Sequence, residues 1–204
     1  MSKKTLFINF GGLGGCAISQ SLTDLNLDYG RYPFDWIHSN QDFIFDVLND
    51  KNNFFKFEEK YISGQYLTKI NLDALILHDF HNYNDFILNK KSIIKKHQRR
   101  LNRLEFLMSN IDKQDKSNIV FIRYLILNDE DKDNVFHPQK PVIFKGKKDS
   151  ISKWEDFMNK YENCKLILIA NEIDNIKTNC KNILIHKGEN TVPDVTNIIQ
   201  KYLH

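Results

Sequence analysis

Four short apolar runs stand out along the chain. They are rich in Ile, Leu, Val and Phe and lack the polar alternation of half-exposed strands, which is typical of strands buried on both faces of a parallel sheet. The predicted strands are residues 5–10, 118–127, 165–170 and 182–186.

Segments with helical spacing of apolar residues lie between these runs. The predicted helical segments are residues 17–25, 43–48 leading into 54–57, 85–111, 152–161 and 195–203, the last started by Pro193 and Asp194. Alternation of strands and helices predicts the α/β class, as a Rossmann-like three-layer sandwich with a mostly parallel sheet. We expect a single domain over residues 1–204, with an irregular insertion of loops and short helices at about residues 28–84. The acidic run 128–134 is expected to be a solvated loop.

Composition narrows the classes of protein that the chain can represent. A hydrophobic share of 41% is ordinary for a globular domain, and 29 basic residues nearly balance 26 acidic ones, for a net charge of +3. This balance does not predict a nucleic-acid partner. Three cysteines without compact spacing argue against a disulfide framework, and no apolar run approaches the length of a membrane span. We therefore expect a cytoplasmic protein with no membrane partner, and the oligomeric state stays open.

A glycine-rich segment between the first strand and the first helix has two interpretations. Residues 12–17 read Gly-Leu-Gly-Gly-Cys-Ala and match a dinucleotide-binding pattern, in which backbone N–H groups would cradle a phosphate. The pattern then requires an acidic residue at the end of a second strand, but Pro33 interrupts the corresponding stretch. The other interpretation is a nucleophile site, in which the helix N-terminus lowers the pKa of Cys16.

A nucleophilic thiol needs a base, an orienting group and donors for a developing oxyanion. His78 follows an apolar run, where a loop would begin, and is the predicted base. Asp35, between two aromatic residues, is the predicted orienting acid, with Asp79 as the alternative. Backbone N–H groups from Gly15 onward would supply the oxyanion donors.

Basic residues on the long predicted helix suggest an anion clamp. Arg99 and Arg103 are one helical turn apart, so both can face one ligand, and Arg123 ends the run Val-Phe-Ile-Arg at 120–123 within the second predicted strand. A solvated helix face explains the cluster equally well, and His97 is expected to be a solvated residue of that face. Paired ligand spacing around the other cysteines is missing, so we expect no metal and no other cofactor.

Several blocks together resemble a known family. They are Leu-Gly-Gly-Cys-Ala at 13–17, Leu22, Tyr-Pro-Phe-Asp-Trp-Ile at 32–37, His-Asp-Phe at 78–80, Arg99, Arg100, Arg103 and Phe-Ile-Arg at 121–123. This set resembles the DUF1796 family, described as putative papain-like cysteine peptidases of bacteria and large DNA viruses, over roughly residues 5–125. The resemblance implies a Cys–His site, carried here by Cys16 and His78.

The leading functional prediction is a cysteine-dependent hydrolase or acyl- or glycan-modifying enzyme. Cys16 would attack, His78 would act as general base and then acid, and Asp35 would orient it. The predicted substrate-binding residues are Gly14, Gly15, Trp36, Arg99, Arg103 and Arg123, for a small-molecule, glycan or peptide substrate. Two alternatives stay open: a transferase domain that binds a nucleotide or sugar phosphate, and a non-catalytic interaction module.

Overall fold

A computed structural model describes most of the chain, with ten β-strands and five α-helices among the described residues. The described residues are 5–13, 15–27, 31–55, 62–63, 66–68, 74–76, 79, 83–111, 119–133, 143–161 and 163–203. In chain order the elements are β1 Leu6–Gly12, α1 Gly15–Asp24, β2 Ile37–Ser39, α2 Gln41–Asn49, a 3-10 helix Lys51–Phe55, β3 Ile62–Ser63, β4 Tyr66–Thr68, β5 Ala74–Ile76, α3 Tyr83–Ser109, β6 Ile119–Tyr124, β7 Glu130–Asp133, β8 Ile143–Gly146, α4 Ile151–Asn159, β9 Lys165–Ala170, β10 Ile183–Lys187 and α5 Val192–Gln200.

The four predicted strands form one sheet in the order β1-β6-β9-β10, and all of its neighbouring strands are parallel. This arrangement confirms the α/β class, while the Rossmann-like three-layer detail and the single-domain organisation stay predictions. Side chains on both faces of the sheet are buried, as the continuous apolar runs predict. Phe121 and Leu168 belong to one core cluster, and Ile122 and Ile167 belong to the other.

Two stretches that we predicted to be irregular contain strands. Within the predicted insertion, β2 to β5 form an antiparallel sheet in the order β2-β5-β4-β3. The acidic run was predicted to be a loop, and this is wrong for Glu130–Asp133, which pair antiparallel with Ile143–Gly146. The hydrogen bonds between paired strands join backbone N–H and C=O groups, so a sequence rich in charged residues can still form a short strand.

Aromatic rings fill the core beside the carboxyl end of β1. Phe10 stacks on Phe121 with ring centroids 4.8 Å apart and on Trp154 at 5.9 Å, and it meets Phe34 edge-on at 5.9 Å. These contacts tie the Pro-Phe-Asp-Trp block to the parallel sheet. Of the helices that the structure describes, none is both long and apolar enough to cross a membrane.

Candidate active site

Two glycines, at the end of β1 and at the start of α1, allow protein segments to approach closely. A β-carbon on Gly12, whose φ is 88°, would lie 1.8 Å from the carbonyl oxygen of Tyr124. A β-carbon on Gly15 would lie 2.1 Å from the carbonyl oxygen of Ile37. Both positions therefore exclude any larger residue, because a backbone atom occupies the space. Packing explains these two glycines without a phosphate, while Gly14 lies outside the described residues.

Cys16 is the second residue of α1 and is half-buried. Burial raises the pKa of its thiol to about 12. We expected a lowered pKa at the helix N-terminus, but the net shift is upward, because the loss of hydration at this position disfavours the thiolate.

A thiol with this pKa constrains the chemistry that Cys16 can perform. At pH 7 the thiol of Cys16 is almost entirely protonated, since its raised pKa lies far above that pH. A neutral thiol favours attack in which a base removes the proton as the new bond forms. The first N–H groups of α1 have no acceptor within the helix and suit an oxyanion.

The Pro-Phe-Asp-Trp block forms a tight turn before β2. The backbone N–H of Asp35 donates to the carbonyl oxygen of Tyr32 at 3.3 Å, and the N–H of Tyr32 donates back to Oδ2 of Asp35 at 2.7 Å. Trp36 is half-buried and has a φ of 63°, in the left-handed region that residues other than glycine rarely adopt. Such conformations persist only where the surrounding contacts hold them.

A buried polar network joins this turn to α1 and β1. The side-chain amide of Asn9 donates to the carbonyl oxygen of Gly15 at 2.8 Å and to Oγ of Ser19 at 2.9 Å. Oγ of Ser19 accepts the backbone N–H of Trp36 at 3.0 Å and donates to Oδ1 of Asp35 at 3.4 Å. Sequence reasoning missed both Asn9 and Ser19, although a serine three residues after the cysteine lies on the same helix face.

The predicted base, His78, lies outside the described residues, but the strand before it is described. β5 ends at Ile76 and pairs antiparallel with β2, so that Ile76 lies opposite Ile37. The carbonyl oxygen of Ile37 in turn lies against Gly15, the residue before Cys16. Strand β5, which ends two residues before His78, therefore pairs with the strand that contacts the helix carrying Cys16.

Asp79, the alternative orienting acid, is bound by α3. Its two carboxylate oxygens form hydrogen bonds with Nζ of Lys96 and Nε2 of His97. Burial alone would raise the pKa of Asp79, but the hydrogen bonds and charges of His97 and Lys96 outweigh it and lower this pKa to about 2. Asp79, the residue that follows His78, is thus bound to the long helix α3.

The prediction that His97 is a solvated residue is wrong. Its side chain is 3% exposed and packs on the ring of Phe54 with centroids 4.9 Å apart. Burial lowers the pKa of His97, and the hydrogen bond and charge of Asp79 oppose this shift. Nδ1 of His97 is buried without a hydrogen-bond partner in the described part of the chain. Because the neighbouring residues in the sequence are basic, the local pattern suggested a solvated position, although His97 lies on the buried side of the helix.

The three predicted arginines do not form one clamp. Arg99 and Arg103 are exposed on α3, where Arg103 donates to the carbonyl oxygen of Arg31 at 2.8 Å. Arg123 is instead fully buried, and its Nε and Nη2 donate to the two carboxylate oxygens of Asp149, each at 2.7 Å.

Arg123 also contacts the backbone of two strands. It donates to the carbonyl oxygens of Phe10 at 3.0 Å and Ser39 at 3.2 Å, and its guanidinium lies 5.4 Å from the centre of the Trp154 ring. The substrate-binding role predicted for Arg123 is therefore corrected to an internal one, because its donors serve Asp149 and the ends of β1 and β2.

The fold and the site define an α/β protein with a half-buried cysteine at the start of the helix after the first parallel strand. A comparison with protein families matches residues 5–150, more than half of the chain, to a family described as "Putative papain-like cysteine peptidase (DUF1796)". The chain belongs to the DUF1796 family. Comparisons with curated proteins and with solved structures find no match.

Proposed function

We propose that this protein is a cysteine-dependent hydrolase in which Cys16 is the nucleophile and His78 is the general base. The observation that carries the proposal is the position of Ile37. Its carbonyl oxygen lies against the residue before Cys16, and its strand pairs with the strand that leads into His78. The family description, a cysteine peptidase, supports the same chemistry.

The proposed reaction starts from the protonated thiol of Cys16. As Sγ of Cys16 bonds to the carbonyl carbon of the substrate, its proton passes to His78, and the carbonyl electrons move to the oxygen. The first N–H groups of α1 would hold that oxyanion. The carbonyl then re-forms, the leaving group departs with the proton from His78, and a thioester remains on Cys16. Water, deprotonated by His78, cleaves the thioester and restores the thiol.

The remaining predicted site residues have proposed roles around this centre. Asp35 would orient His78, although its carboxylate also accepts hydrogen bonds from Tyr32 and Ser19. Trp36 is half-buried next to the helix that carries Cys16 and would contact the substrate.

Two further groups of residues would complete substrate binding. The exposed Arg99 and Arg103 would bind an anionic part of the substrate, and the backbone of Gly14 and Gly15 would contact the reacting carbonyl. The family description favours a peptide over the other substrate classes, a small ester or a glycan. The phosphate-binding transferase stays an alternative, although packing alone accounts for Gly12, the first glycine of its pattern.

A hydrolysis assay with peptide and ester substrates tests the proposal. The parent protein is compared with Cys16→Ala and His78→Ala, and Cys180→Ala serves as the control because Cys180 is also a half-buried free cysteine. We expect both site variants to lose at least about a hundredfold in rate, as for loss of a nucleophile or its base, and the control to keep parental activity. Hydrolysis that survives in Cys16→Ala contradicts the proposal.

A further inference from the structure

The hydroxyl group of Ser19 joins three segments of the chain around the helix that carries Cys16. It accepts hydrogen bonds from the side chain of Asn9 at 2.9 Å and from the backbone N–H of Trp36 at 3.0 Å, and it donates to Asp35 at 3.4 Å. The one donor and two acceptor positions of a hydroxyl are all used by these contacts. The side chain is also buried, so bulk water cannot replace the hydroxyl if it is removed.

The position of Ser19 relates these contacts to the thiol. Residues three apart on a helix are neighbours on one face, so Ser19 lies one turn from Cys16 on the same side of α1. The N–H that Ser19 accepts belongs to Trp36, directly before Ile37, whose carbonyl oxygen lies against Gly15. Ser19 therefore holds the chain that covers the first turn of α1.

We propose that Ser19 is a positioning residue of the Cys16 site, whose hydroxyl holds the turn ending in Trp36 against the first turn of the helix. This inference rests on the proposed function, in which Cys16 is the reacting thiol. Without the hydroxyl, the N–H of Trp36 and the amide of Asn9 lose their shared acceptor. The left-handed backbone of Trp36 then loses a contact that holds it, and water reaches the thiol.

Alkylation of Cys16 by iodoacetamide between pH 7 and pH 10 measures this effect, with the modified peptide quantified by mass spectrometry. Ser19→Ala removes the hydroxyl, and Ser19→Thr keeps one. Ser21→Ala is the matched control, because Ser21 lies on the same helix, is fully buried and donates instead to the carbonyl oxygen of Val192 at 3.1 Å. Thermal unfolding of each variant is recorded in parallel.

The parental rate should rise about tenfold per pH unit across this range, since the thiol stays protonated. Ser19→Ala should react at least about tenfold faster at pH 8 and level off within the range, because hydration returns the thiol towards its ordinary ionisation. Ser19→Thr and Ser21→Ala should follow the parent even where their unfolding temperature falls. If Ser19→Ala and Ser21→Ala give the same rate profile as the parent, the inference is wrong.

Acylation by substrate is scored separately from alkylation in the same proteins. A parent protein that substrates never acylate contradicts the proposed function, whereas an unchanged alkylation profile in Ser19→Ala contradicts the positioning role alone. The two failures are therefore distinguishable.

Discussion

The carbonyl oxygen of Ile37 lies against the α-carbon of Gly15, where an added β-carbon would approach it to 2.1 Å. This contact joins β2 to the start of α1, next to Cys16. Because Ile37 also pairs with Ile76, the same residue connects the helix that carries the thiol with the strand that leads into His78. The arrangement of the proposed site therefore depends on Gly15, the first residue of the helix that carries Cys16.

Gly15→Ala tests the contact. We expect a loss of about 1–3 kcal/mol in the free energy of unfolding, because the new methyl group meets a backbone oxygen that cannot rotate away. Gly188→Ala is the matched control, since its β-carbon would meet the flexible end of Ile198 at 2.9 Å. Urea unfolding measures both variants, and a loss for Gly15→Ala no larger than that of Gly188→Ala contradicts this account of the contact.

Arg123→Met should destabilise the fold by about 3–5 kcal/mol, because it leaves the carboxylate of Asp149 buried without its partner. Replacing both residues, as Arg123→Met with Asp149→Leu, should cost less than Arg123→Met alone. The surface pair of Lys153 with Asp42 is the control, since both side chains are half exposed. Lys153→Ala should change the free energy of unfolding by less than about 1 kcal/mol. If the double variant is no more stable than Arg123→Met, the buried ion pair is not the cause.

The low pKa of Asp79 predicts a loss of stability in acid. The folded pKa of about 2 lies below the ordinary value of 3.8, so the contribution is complete above about pH 4 and is lost as the pH falls towards 2. The shift corresponds to about 2 kcal/mol. Urea unfolding between pH 5 and pH 2.5 should show a shallower decline for Asp79→Asn than for the parent, while the surface variant Asp42→Asn follows the parent. Parallel declines in all three proteins contradict the prediction.

The raised pKa of Cys16 predicts slow reaction with small reagents that have no binding site. Iodoacetamide should modify Cys16 at pH 8 at least about a hundredfold more slowly than it modifies N-acetylcysteine, because the thiolate fraction is smaller. The rate constants are obtained by peptide mass spectrometry in the folded protein, with a urea-unfolded sample to show that the reagent is competent. A rate equal to that of N-acetylcysteine would mean that the thiol is not held in its neutral form.

The parallel sheet could be predicted from the sequence because its strands are apolar on both faces. The run at 165–170 corresponds to β9, and the long helical pattern from Asp85 corresponds to α3. The prediction from local sequence patterns was wrong where contacts between distant parts of the chain determine whether a side chain is buried. The sequence predicts a substrate-binding role for Arg123, but Asp149, 26 residues away, pairs with its guanidinium and makes its burial possible.

For the candidate site, the sequence predicts which residue types are present but not their surroundings in the fold. Cys16 is at the start of a helix, as the glycine pattern predicts. Its pKa depends on burial by distant segments, and no local pattern shows this. The turn that holds Trp36 likewise depends on Ser19, seventeen residues away in the chain.

The central claim, that a base removes the thiol proton during attack, is tested most directly by acylation of Cys16 in a His78→Ala variant. Intact-protein mass spectrometry follows the acyl adduct formed from an activated peptide ester at pH 7, and His186→Ala controls for loss of an unrelated histidine. The account predicts that acylation falls at least about a hundredfold in His78→Ala and is unchanged in His186→Ala. Equal acylation of the parent and His78→Ala would contradict the account.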